Sequence, residues 1–270
     1  MKETASPFQF LALAASLVLS PIALPPAEAI SIAVSPIRVE HHVPPGGTIT
    51  EAITVSNDDP SPAYIRVRVE DWSLNQDGAI TFAKGGSQSY SAAPWLRLHP
   101  REFTLRPGQS QDVRYSLTVP TNASPGGYRA AIVFATVSPP TPGEGQKRVA
   151  LEGRIATILY ETVGRPVPSG EITGFSFRMD PAGKPEFAIS FQNTGPVHIR
   201  TRGGITIRDR AGKELIKATL PDLPILPQSR RDFSVVVNEG LPAGDYVAEL
   251  IMDIGRKELL AGERRFSIRQ

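Results

Sequence analysis

From Ala63 to Trp72 apolar and polar side chains alternate: Ile65, Val67 and Val69 fall on one face, Arg66, Arg68 and Glu70 on the other. A period of two is that of an extended strand with one face on a core and one in water. The same alternation marks Thr48 to Ser56, Asp112 to Val119, the trio Phe187, Ile189 and Phe191, and the trio Phe233, Val235 and Val237. Val34 to Val43 predicts a first strand bent or switched at Pro36, and the apolar run Tyr128 to Val137 predicts a central strand. Arg148 to Thr162 is again extended, and Ser138 to Lys147, rich in proline and glycine, predicts the tip of a long hairpin. Lys84 to Ala93 predicts a polar, mobile loop. Helical periodicity is scarce, and proline or glycine interrupts the apolar stretches about every ten residues, the mark of an all-β chain.

One pattern occurs twice. Pro125-Gly126-Gly127-Tyr128 precedes the apolar run Ala131 to Phe134, and Pro242-Ala243-Gly244-Asp245-Tyr246 precedes Leu250-Ile251. A Gln-Ser pair stands upstream of each, at Gln109-Ser110 and Gln228-Ser229. The two glutamines are 119 residues apart and the two tyrosines 118. Near-equal offsets indicate a duplicated module. A tyrosine just after a Pro/Gly turn, at the start of a late strand, is the position of a tyrosine corner in a β-sandwich. The fold class predicted is two tandem immunoglobulin-like β-sandwiches. Gly164 to Gly170 has linker composition, which places the domains at 30–165 and 166–270.

The first 29 residues read as a signal peptide. Lys2 gives a weak basic start, Phe8 to Leu24 is mostly apolar, and Ala27-Glu28-Ala29 carries small residues at both positions that set a cleavage site. The apolar run is short for a bilayer span and is broken by Pro21, Pro25 and Pro26. Cleavage after Ala29 leaves a chain from Ile30 to Gln270, destined for the periplasm. The sequence has no cysteine, so an exported chain of this kind relies on core burial instead of disulfides. The net charge of +2 is too small to argue for nucleic acid or an anionic membrane.

Candidate chemistry is thin. The four histidines are His41, His42, His99 and His198. Neighbours on a strand point to opposite faces, so His41 and His42 do not readily chelate one ion, and no metal or cofactor is expected. Ser87 in Gly85-Gly86-Ser87-Gln88-Ser89 lacks the closing glycine and the strand-to-helix turn of a nucleophile elbow. Gly126-Gly127 and Gly203-Gly204 read as turns or bulges. Trp72 and Trp95 read as packing residues. No acid, base and nucleophile converge, which argues against an enzyme.

Several segments, taken in order, carry a resemblance: Ser35-Pro36-Ile37-Arg38 before a strand, Asn57, Trp72, Pro94-Trp95-Leu96, Pro107-Gly108-Gln109-Ser110-Gln111-Asp112-Val113-Arg114, Tyr128-Arg129, and Val149 to Ile155 after a long loop. In this order they resemble the periplasmic pilus-assembly chaperone superfamily (PapD-like), nearest to its fimbrial and spore-coat types. The likeness covers about Ile30 to Pro166, with the second half matching only as a further immunoglobulin-like domain. It implies a non-enzymatic chaperone that lends a strand to pilus or secreted-coat subunits, with an outer-membrane usher as a further partner. The lending strand would be about Lys147 to Ile155, presenting Val149, Leu151 and Ile155 to the client. The resemblance also implies a basic pair that anchors the client's C-terminal carboxylate. Arg38 and Arg154 are the candidates, with the register shifted by two, because Glu40 and Ala156 stand where the alignment expects bases. The competing reading is an exported structural or adhesive immunoglobulin-like protein without clients.

Overall fold

The computed structural model describes residues 32–136 and 153–269. The signal-peptide segment, Val149 and Leu151 lie outside the described residues. The first domain contains β1 (Ile32–Ser35), β2 (Arg38–Val43), β3 (Thr48–Asn57), β4 (Ala63–Leu74), β5 (Ile80–Lys84), β6 (Leu96–His99), β7 (Glu102–Leu105), β8 (Ser110–Thr118), β9 (Gly126–Thr136) and β10 (Arg154–Val163). The second contains β11 (Gly170–Met179), β12 (Pro185–Asn193), β13 (Ile199–Arg200), β14 (Arg202–Asp209), β15 (Glu214–Thr219), β16 (Pro224–Ile225), β17 (Arg230–Val236), β18 (Gly244–Asp253) and β19 (Leu260–Ile268). Among the described residues the one helical segment is a 3-10 turn at Ala93–Trp95.

Each domain is an immunoglobulin-like sandwich. In the first, a sheet ordered β1-β3-β8-β6 packs on a larger one ordered β2-β10-β9-β4-β5, with β7 also paired to β4. The first strand does switch sheets. β1 pairs antiparallel with β3, and after Pro36 and Ile37 the chain enters the other sheet as β2, parallel to β10. The alternating residues Ile53, Val55, Ile65, Val113, Leu117, Ile132, Phe134 and Leu159 meet between the sheets, where they are buried. Each such side chain contributes roughly 1.5–3 kcal/mol. The second domain packs β11-β12-β17 on β15-β14-β18-β19 around Phe187, Ile189, Phe191, Ile205, Ile207 and Leu250. The break expected at Gly203-Gly204 falls at Thr201 instead, between β13 and β14. There Thr201 N–H donates to the Leu223 carbonyl at 3.1 Å.

The duplication has a physical basis. Tyr128 donates its hydroxyl to the Ser124 carbonyl at 3.1 Å, and Tyr246 to the Pro242 carbonyl at 2.7 Å, each four residues upstream. A second matched pair was not evident from spacing. Asn57 and Asn193 are fully buried at the ends of β3 and β12. Asn57 Nδ2 donates to the Ser61 and Leu105 carbonyls, and Asn193 Nδ2 to those of Val197 and Ile225. Each Oδ1 accepts from the N–H two residues on. A buried amide satisfied in this way ties a strand end to its neighbouring loop.

The loop expected to be mobile is tied down. Buried Asp71 accepts hydrogen bonds from the N–H groups of Gly86 at 3.2 Å and Gln88 at 2.9 Å, and from the hydroxyls of Ser87 and Ser91. Tyr90 and Ala92 then bond to the Arg129 backbone. A buried carboxylate requires donors, and the polar residues of this loop supply them.

Candidate functional site

The outer face of the larger first-domain sheet is apolar where a sandwich ordinarily meets water. On β10, Ile155, Leu159 and Val163 join the inner core, while Ala156, Ile158 and Tyr160 turn outward. They meet Trp72 and Leu74 of β4, Ala131 and Val133 of β9, and Leu226 of the second domain. Trp72 is 1 % exposed and stands edge-on to Tyr160 at 5.1 Å, its Nε1 donating to the Ala130 carbonyl. β9 is therefore apolar on both faces, which explains its unbroken apolar run. Around the rim Ile37, Ile80 and Phe82 are exposed large apolar residues.

β10 has two kinds of edge. From Ile158 to Val163 it lies between β2 and β9. From Arg154 to Thr157 it pairs with β9 alone, and among the described residues no strand covers the other side. At the point of change Ile158 N–H donates to the Ile37 carbonyl at 2.9 Å and Thr157 Oγ1 to the Pro36 carbonyl at 2.7 Å. An uncovered edge offers backbone donors and acceptors to another chain.

Arg38, Arg154 and Ile155 are not gathered at one point. Arg38 is paired in register with Ile158, four residues beyond Arg154, so the two arginines share a sheet face roughly 13 Å apart along the strand. Arg154 donates to Glu70 Oε1 at 2.6 Å and lies over the Phe82 ring at 5.6 Å. Arg38 faces Glu40 at 3.5 Å and Asp222 at 3.6 Å. Ile155 is half-buried against the first-domain core.

Glu40, which the resemblance left unexplained, belongs to a cluster between the domains. Arg200 Nε donates to Glu40 Oε1 at 2.7 Å and Arg200 Nη1 to Asp222 Oδ1 at 2.9 Å. His198 lies 3.5 Å from Glu40 and 4.4 Å from the Tyr160 ring. Burial alone would raise the Glu40 carboxyl, but the Arg200 bond and charge outweigh it and hold it below the usual range. Burial pushes His198 down, so it is neutral at neutral pH. The domains also meet where Gly127 N–H donates to the Pro196 carbonyl at 2.7 Å. A Cβ on Gly127 would stand 3.1 Å from Val197 Cα, so glycine permits this approach. No sequence pattern linked these residues, since Glu40 and Arg200 are 160 positions apart.

The adjacent histidines part as strand geometry requires. His42 borders a cleft between the domains. His41 turns inward, its Nδ1 3.0 Å from Oε1 of fully buried Glu161, and its Nε2 3.2 Å from Glu51 Oε2 but off the line of a hydrogen bond. Glu51 accepts from the Tyr115 hydroxyl at 2.7 Å. Burial would depress His41, but Glu161 and Glu51 outweigh it and raise the imidazole above its ordinary pKa. Burial likewise raises Glu161, in spite of His41. This pair fastens β2 to β10.

No protein-family model and no curated protein matches the chain. Solved structures do resemble it. The class 5 fimbriae chaperone CfaA is 13 % identical, with 87 % of this chain and 99 % of that one covered and a TM-score of 0.47. The E. coli chaperone DraB is 18 % identical, with 89 % and 98 % covered and a TM-score of 0.41. A third is the CsuC–CsuE chaperone–tip adhesion subunit pre-assembly complex of Acinetobacter baumannii, at 15 % identity, 86 % and 97 % coverage and a TM-score of 0.42. By fold the chain is a two-domain, all-β protein of immunoglobulin-like sandwiches. The structures it is similar to are of chaperones, and at these identities the likeness is one of fold.

Proposed function

We propose that this protein is a periplasmic, non-enzymatic chaperone that holds pilus or secreted-coat subunits by lending them a strand. The observation that carries this reading is the edge of β10 from Arg154 to Thr157, uncovered among the described residues, beside the apolar outer face of the same sheet. A client strand added there would gain main-chain hydrogen bonds, while alternate side chains of the lent strand fill its pockets. The lent stretch is Lys147 to Ile155. Val149 and Leu151 enter the client, and Ile155 is where the stretch meets its own domain. Arg38 faces the client's C-terminal end, and Arg154, held by Glu70, borders the lent strand. An outer-membrane usher is the further partner this role requires.

The test is co-purification of a subunit encoded beside this gene with wild type, with Leu151→Glu and with an Arg38→Ala/Arg154→Ala double variant. A charge forced into an apolar client pocket is strongly unfavourable, so Leu151→Glu is expected to lose the subunit while the chaperone stays folded by circular dichroism. The double variant is expected to retain less subunit than wild type. Equal retention by all three refutes strand lending. Unfolding of Leu151→Glu would instead assign that strand to the protein's own core.

A further inference from the structure

Alternate residues of one short segment hold the second domain to the first. Val197 and Ile199 are buried, and Ile199 joins the core of its own domain. The Pro196 carbonyl accepts from Gly127 N–H of β9, His198 packs on Tyr160 of β10, and Arg200 reaches Glu40 of β2. These are three neighbouring strands of one sheet. The three contacts are therefore made or lost together.

His198 is the member of this segment whose charge can change near neutral pH. Its side chain is 12 % exposed, and its Nε2 lies 3.5 Å from Glu40 Oε2, longer than a charge-assisted hydrogen bond. The better place on Glu40 is taken by Arg200, which donates to Oε1 at 2.7 Å. Asp222 is engaged by Arg200 and Arg38. The remaining charged or titratable groups around the ring are His42 of β2, with Arg202 and Asp253 across the cleft, and the Tyr160 hydroxyl, which burial pushes up to about 12. A proton taken up here would lose water, face Arg200 and find no free carboxylate.

We propose that His198 is an acid-sensitive latch between the domains: neutral, it packs on Tyr160 and the junction closes; protonated, it leaves for water and the junction opens. The Gly127–Pro196 and Glu40–Arg200 contacts go with it because they belong to the same segment. Opening uncovers Tyr160 and the apolar outer face around it. Acidity thus controls access to that face without any ligand, whether or not a client is held there.

The sign follows from linkage. A released His198 has the ordinary value of about 6.5, and the docked ring is held below it by burial. Docking is at full strength above about pH 6.5, weakens as pH falls below it, and levels off beneath the docked value. One proton is involved, so the opening constant grows by at most about tenfold per pH unit. Glu40, held below its usual range, keeps its charge through this window. His41 is raised instead, and its pairing persists in acid.

Hydrogen exchange followed by NMR on the full chain at pH 7.5 and pH 5.5, corrected for intrinsic rates, reads the Gly127 amide, whose bond to Pro196 crosses the junction. Amides of the central strands β8 and β18 serve as the reference for each sandwich. In wild type the Gly127 protection is expected to fall by roughly threefold to tenfold at the lower pH, with β8 and β18 unchanged. His198→Gln, neutral at both pH values, should keep Gly127 protected at both. His198→Lys, charged at both, should leave it weakly protected at both. The His198 ring signals should titrate below about 6.5. Protection that is unchanged or higher in acid overturns the proposal, since Glu40 would then capture the protonated ring and tighten the junction. So does a fall that His198→Gln shares, full protection in His198→Lys, a ring that titrates above about 6.5, or a fall shared by β8 and β18, which would mean general loosening in acid.

Discussion

Replacing His41 with leucine leaves Glu161, which is fully buried, without the imidazole that lies 3.0 Å away. Removing one partner of a buried pair costs about 3–5 kcal/mol. The lower end, about 3 kcal/mol, applies near neutral pH here, because the far side of the imidazole opens toward the half-exposed Glu51. The cost has a defined pH dependence. His41 is raised above its ordinary value, so its pairing stabilises the fold fully below about pH 6.5 and is lost as pH rises through the higher folded value. Glu161 is also raised, by burial. Without His41 its charged form becomes more unfavourable as pH climbs above about 4.3, the value in an unfolded chain. The loss from His41→Leu is therefore expected to be smaller near pH 4.5 than near pH 6.5, and to shrink again at alkaline pH where wild type loses its own pair. Urea denaturation followed by tryptophan fluorescence measures it, since both tryptophans, Trp72 and Trp95, lie in the first domain. The double variant His41→Leu/Glu161→Leu, which buries no charge, should recover most of the loss. A penalty below about 1 kcal/mol that does not change between the two acidic pH values would refute the buried-pair account.

Two further outcomes follow from the same geometry. Tyr128→Phe and Tyr246→Phe should each lower the stability of their own domain by about 1 kcal/mol, the worth of one hydroxyl bond; an unchanged denaturation midpoint in either variant would show that its corner bond contributes nothing. Arg200→Ala removes the bridge from Glu40 to Asp222 and should loosen the domain pair by about 1–2 kcal/mol without unfolding either sandwich. Protease cleavage at residues 164–169 should then be faster than in wild type, and an unchanged rate would mean that the Gly127–Pro196 contact and apolar packing suffice.

By itself the sequence determined the elements. Alternation at Ile65, Val67 and Val69 fixes a strand and its inner face because side chains on a strand repeat every two residues. The repeated tyrosine after a Pro/Gly turn marks the corners because its hydroxyl bonds only four residues away, which is local information. The switch at Pro36 was legible for the same reason. What joins distant segments was not. Glu40 looked like a misplaced acid until Arg200 stood beside it, 160 residues on. His41 and His42 could be assigned to opposite faces, but not to Glu161 on one side and the cleft on the other. Lys84 to Ala93 looked mobile because its composition is polar, and only the fold buried Asp71 beneath it. The edge of β10 from Arg154 to Thr157, uncovered among the described residues, is likewise a property of what does or does not arrive from elsewhere in the chain. Patterning sets the direction of each side chain, whereas its partner is set by how the sheets and domains close.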